Sequence, residues 1–176
     1  GEMPLPPYIL KKRENIKDDE NLYQSIFAKN FGAVAASTAS LHFDEKVLKN
    51  LKKKNINFTT ITLHVGGGTF LPIKSENIDD HKMHSEWGYI SKETLNLISL
   101  TKKKGGRVIP VGTTSLRILE AAFSRKNSDI PFKGETDIFI KPGYRFIITD
   151  GLITNFHLPK SSLLVMICAF YNKEKI

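Results

Sequence analysis

Residues 107–120 read RVIPVGTTSLRILE, and how this stretch is read decides the fold. A short apolar run ends at Gly112. Thr113, Thr114 and Ser115 follow, and then Leu116, Leu119, Ala122 and Phe123 recur on one face of a helix over 113–126. A strand that turns through glycine into a hydroxyl-rich helix start is a unit of an α/β domain. Free N–H groups and hydroxyls at such a start make an anion or carboxylate site, and ligands of open α/β sheets gather at the carboxyl ends of strands. The same residues also serve as an ordinary N-cap, so the motif alone does not choose.

Working outward, SKETLNLISLTKKKGG (91–106) predicts a helix with Ser91 in front, lysines at the end and two glycines behind. DEKVLKNLKKKN (44–55) predicts another, capped by Asp44. INFTTITLHV (56–65) is β-branched and alternating, a strand by composition. TDIFI (136–140) and YRFIITDGLITNF (144–156) also read as strands, and SSLLVMICAFY (161–171) as a closing buried helix. Strands alternating with helices predict an α/β fold with a mostly parallel sheet and helices on both faces, a three-layer sandwich. Residues 1–24, proline-punctuated and then charged, read as a connector; residues 25–176 form the α/β domain.

The chain has 176 residues, 40% hydrophobic and 10% aromatic, which is a globular composition long enough for a real core. Its 26 Lys and Arg against 18 Asp and Glu leave a net charge of +8. That excess favours a polyanion such as RNA or DNA, although lysine runs at 52–54 and 102–104 equally describe a solvated surface. One cysteine, Cys168, excludes a disulfide framework and points to the reducing cytoplasm. The longest apolar stretch, Leu163 to Tyr171, is too short to span a membrane. The chain starts at Gly1 rather than Met and is expected to be a portion of something longer.

Polar chemistry concentrates in a few places. LHVGGGTF (63–70) puts Gly66, Gly67, Gly68 and Thr69 after a strand, which permits close approach to a flat or charged ligand. It is neither a dinucleotide fingerprint nor a phosphate-binding P-loop. HKMHSEW (81–87) holds His81, His84, Glu86 and the chain's one tryptophan. A metal there needs further ligands, with His157 the remote option, so acid/base work by His84 or Glu86 is the better reading. His42 and His157, each at the end of an apolar run, come next; a lone histidine in such a place is more often structural.

Taken together, LPPYI, YQSIFAKNFGAVAASTASLHF, TLHVGGGTFLPI, HKMHSEW, GGRVIPVGTTSLRILE and TDIFIKPGYRFIITDGLITNFHLPKSSLLVMICAF closely resemble the S-adenosylmethionine:tRNA ribosyltransferase-isomerases of queuosine biosynthesis. The match runs in order from about Pro4 to Tyr171, over the central and C-terminal part of a family chain about twice as long, without most of the family's inserted β-barrel. The resemblance implies transfer and isomerisation of the ribosyl moiety of S-adenosylmethionine, a consumed co-substrate, onto 7-aminomethyl-7-deazaguanine in tRNA. Epoxyqueuosine forms, adenine and methionine leave, and no metal is implied. Set against that reaction, residue chemistry selects His84 and Glu86, then His42 and His157, as expected proton carriers. Thr113, Thr114 and Ser115 would take the methionine carboxylate or a ribose hydroxyl, and Gly66 to Thr69 would pack on adenosine. Arg117, Lys141, Arg145 and Lys160 would meet tRNA phosphates, and a monomer is expected. Ser37 and Ser40 stand where the family usually has Pro and Gly, which is expected to loosen that loop or crowd the ligand. Two other readings compete: a basic RNA-binding module without catalysis, and a metal-dependent hydrolase on His81, His84, Glu86 and His157.

Overall fold

The computed structural model describes residues 5, 7–14, 17–66, 73, 75 and 77–171. Six α-helices occur in them: α1 (Pro7–Leu10), α2 (Asp19–Leu22), α3 (Glu45–Lys53), α4 (Lys92–Lys103), α5 (Thr113–Phe123) and α6 (Ser162–Phe170). Three strands accompany them, β1 (Thr62–His64), β2 (Glu86–Ile90) and β3 (Phe132–Thr136). The longer helices start where side-chain oxygens replace missing backbone acceptors. Asp44 accepts from the Val47 N–H at 2.7 Å, Ser91 from Thr94 at 3.3 Å and Ser161 from Leu164 at 3.2 Å. Gly112 takes φ +94° ahead of α5, a backbone conformation that a side chain would strain.

The α/β mixture is as expected, but the sheet is not. The described strands pair in the order β1-β2-β3, and both pairings are antiparallel, His64 opposite Trp87 and Ile90 opposite Phe132. The expected mostly parallel, three-layer arrangement is therefore not what these strands form. Parallel pairing among the described residues is confined to one bridge, Val111 with Ile153. It is extended by Gly112 N–H to Ile153 O at 2.8 Å and Asp150 N–H to Val108 O at 2.9 Å.

The two segments read as strands at 136–140 and 144–156 have other partners for their backbone. Glu120, fully buried on α5, accepts from the N–H groups of Ile147, Ile148 and Thr149 at 2.8, 3.2 and 3.0 Å. Arg117, one turn earlier, donates to the carbonyls of Thr136 and Ile138. A buried backbone group needs a partner, but a side chain serves as well as a neighbouring strand.

Helix α5 divides the core. Ile118, Leu119 and Ala122 join Ile90, Leu95, Ile98, Val108, Phe132 and Ile148 in one cluster, while Leu116 meets Ile140 and Met166 in a second. The sheet approaches α5 most closely at Gly88, where an added Cβ would lie 2.7 Å from Ile118 Cδ1 and Cγ2. Gly88→Ala is expected to lower stability by about 1–3 kcal/mol through overpacking. Urea unfolding checks this, and an unchanged midpoint would mean that sheet and helix are less tightly joined.

Candidate active site

Glu86 opens β2 facing α5 and is buried, as is Arg117. Arg117 Nη1 donates to Glu86 Oε2 at 2.5 Å and Thr114 Oγ1 donates to Glu86 Oε1 at 2.9 Å. The guanidinium also donates to His84 O at 3.0 Å, Thr136 O at 3.2 Å and Ile138 O at 3.0 Å. Burial pulls the Arg117 pKa down while the Glu86 charge pushes it back up. Arg117 as a tRNA phosphate contact is therefore corrected: it is 1% exposed and its donors are directed into the protein. Thr114, also buried, donates its hydroxyl to Glu86.

A second polar group forms where three segments converge. His42 ends a 3₁₀ turn over Thr38–His42 and is exposed. Its Nε2 lies 2.8 Å from Asn155 Oδ1, and Asn155 Nδ2 donates to Thr38 Oγ1 at 2.8 Å. With its nitrogen on Thr38, the amide presents its oxygen to His42 Nε2, an arrangement in which Nε2 is the donor. The start of α5 is adjacent: a Cβ built on Gly112 would be 3.4 Å from Ser37 Oγ and 3.9 Å from Ser115 Oγ. His157 follows on the Asn155 segment, its Nε2 3.0 Å from Thr154 Oγ1.

Ser37 and Ser40 lie in and beside this 3₁₀ turn. Ser37 has φ −75°, an angle that proline would also adopt. Ser40 is buried within the 3₁₀ turn and its hydroxyl donates to Ser37 O at 2.5 Å.

The other expected site residues are spread out. The His84 side chain is exposed; what the network holds is its carbonyl. Gly66 is half-buried after β1, and Gly67, Gly68 and Thr69 lie outside the described residues. Thr113 is buried and Ser115 half-buried. Lys141 pairs with Asp79, while Arg145 and Lys160 are exposed. Among the described residues no three His, Cys, Asp or Glu side chains cluster to hold a metal, so His81, His84, Glu86 and His157 do not form the hydrolase centre. No helix among the described residues is long and apolar enough to cross a membrane. Asn155 and Thr38 went unread in the sequence; the available signal was an amide beside a histidine at the end of an apolar run.

The whole chain, residues 1–176, matches the model of the family described as "Queuosine biosynthesis protein". The chain belongs to this family. It is 58% identical over its full length to the S-adenosylmethionine:tRNA ribosyltransferase-isomerase of Zymomonas mobilis, covering 52% of that protein. It is 53% identical to the protein of the same name from Ruegeria sp., covering 50% of it. The chain thus spans about half the length of these relatives. The crystal structure of S-adenosylmethionine tRNA ribosyltransferase from Thermotoga maritima superposes with a TM-score of 0.63 at 36% identity, over 77% of this chain and 42% of that one.

The titration of His157 is measurable. Burial pulls the His157 pKa below its ordinary value of 6.5, so the folded chain holds the ring neutral. Between the two values the unfolded state binds the extra proton, so stability falls as pH drops through the ordinary histidine range and rises again on return. Urea unfolding at about pH 7.5 and about pH 5.5, on either side of that range, is expected to show a smaller loss for His157→Gln than for the parent. Equal losses would assign the acid sensitivity elsewhere.

Proposed function

We propose that this chain is the central and C-terminal part of an enzyme that transfers and isomerises the ribosyl moiety of S-adenosylmethionine onto 7-aminomethyl-7-deazaguanine in tRNA. The relatives' names supply the donor, the tRNA and the reaction type, and the family resemblance implies the acceptor base. The observation that carries the reading is full-length similarity to proteins of that name. The geometry supports it with an oriented base beside a helix start.

A proton must leave the carbon next to the sulfonium, which needs an acceptor held at the reacting atom. His42 suits this better than Glu86. With Nε2 donating to Asn155, the neutral ring keeps a lone pair on Nδ1, whereas Glu86 is buried on Arg117 and Thr114. His84, exposed, is the next choice for protonating the departing adenine. His157, kept neutral by burial, is a further one.

The first-turn N–H groups of α5, with Gly112 beside them and the Ser115 hydroxyl, would take the methionine carboxylate. Gly66 to Thr69 remain the proposed packing surface for adenosine. Lys141, Arg145 and Lys160 are the proposed phosphate contacts, now without Arg117. As written, the reaction calls on no metal, and its place is the cytoplasm.

The test is adenine release from S-adenosylmethionine in the presence of tRNA carrying the aminomethyl base. His42→Ala is expected to slow release by about 100-fold or more, the usual contribution of a positioned base. Asn155→Ala is expected to cost less, since the imidazole remains. Unchanged rates in both variants would remove His42 from the mechanism.

A further inference from the structure

The three-stranded sheet has two unlike faces. Glu86, Gly88, Ile90, Phe132 and Thr136 alternate onto the face that is buried towards α5. The intervening positions place Trp87, Tyr89, Lys133 and Glu135 on the other face, with Thr62 and His64 opposite Tyr89 and Trp87. This outer face carries an open groove of about 460 Å3 lined by Asn30, Thr62, His64, Trp87, Tyr89 and Lys133.

The floor of the groove is aromatic and held in place. The His64 and Trp87 rings are tilted by 32° with centroids 4.9 Å apart. The Gly32 backbone packs close to His64, where an added Cβ would come within 2.7 Å of the imidazole. The groove edge is formed by Asn30, which donates to Thr62 Oγ1 at 3.3 Å, and the next residue, Phe31, is fully exposed. On β3, Glu135 stands opposite Trp87 and Lys133 opposite Tyr89. The Glu135 carboxylate is oriented by Ser85 Oγ, which donates to Oε2 at 2.8 Å.

We propose that this face holds one unpaired guanine-type base of an RNA strand, stacked on Trp87, with its Watson–Crick edge on Glu135 and a phosphate on Lys133. The half-buried Trp87 indole lines the groove, and an aromatic platform of this kind stacks on any base. A carboxylate beside it selects among bases, because its oxygens only accept hydrogen bonds. Guanine, like 7-deazaguanine, presents N1–H and an exocyclic amine side by side to such a pair of oxygens, whereas adenine presents an acceptor at N1. Lys133 and the net charge of +8 draw the phosphate. The inference rests on RNA being the substrate, and names the part of it that this face reads.

Trp87 is the chain's only tryptophan, so its emission reports on this face alone. The intact protein is titrated with the single-stranded RNA pentamers UUGUU and UUAUU. Quenching is expected with both, with UUGUU binding about tenfold tighter, the discrimination typical of one two-point hydrogen-bonded contact. Glu135→Ala is expected to abolish that preference while leaving the UUAUU affinity in place, which also shows that the variant is folded. Lys133→Ala is expected to weaken both RNAs alike. No quenching by either RNA would overturn the proposal. So would equal affinities in the parent, a preference that survives Glu135→Ala, or quenching by adenosine as strong as by RNA. Adenine release is a separate readout: its absence alongside an intact guanine preference would sink the transfer reaction and leave this site standing, and the opposite pattern would do the reverse.

Discussion

The buried ion pair of Arg117 and Glu86 is the contact on which the rest of the structure depends. It joins α5 to the first residue of β2, and through the remaining guanidinium donors it takes up the carbonyls of His84, Thr136 and Ile138. Two separate segments, 84–86 and 136–138, are therefore registered on one side chain of α5. Such a pair contributes little net stability against a well-packed apolar replacement, because both charges have been removed from water. Its value here is positional: four hydrogen bonds from Arg117 fix the chain around it in one arrangement that satisfies them.

Glu120 does the complementary work one turn later, accepting from three successive N–H groups and from the Tyr144 hydroxyl. Burial, and next the Glu120 charge, raise the Tyr144 pKa, which keeps the hydroxyl a donor. A helix that carries an acceptor and a donor of this kind on its buried side replaces the flanking strands of a sheet. That accounts for the backbone of 147–149 lying on α5 rather than in the three-stranded sheet, while 150–153 pairs with 108–112.

How far the sequence was legible follows from the same residues. Helices α3, α4 and α6 announce themselves through Asp44, Ser91 and Ser161, because a cap is a local interaction between residues three apart. The sheet did not, since pairing depends on residues far apart in the chain. FKGET, with a glycine and two charges in five residues, looks like a link and is β3. Arg117 and Glu120 look like surface charges on an amphipathic helix, yet both are buried. The clue was their place among Leu116, Ile118 and Leu119, in a helix with no clear polar side. The candidate site was half legible: the glycine-to-helix junction was readable from its spacing, whereas the pairing of His42 with Asn155 joins residues 113 apart.

The central claim is that the Arg117–Glu86 contact organises sheet and helix as one unit, and a double-mutant cycle tests it most directly. Stability is measured by urea unfolding for Arg117→Met, Glu86→Leu and the double variant. Each single change is expected to cost about 3–5 kcal/mol, because it strands a buried charge. The double variant is expected to cost less than the sum by at least about 1 kcal/mol, the signature of direct coupling. Single costs that simply add would contradict the account, since the two residues would then be acting independently.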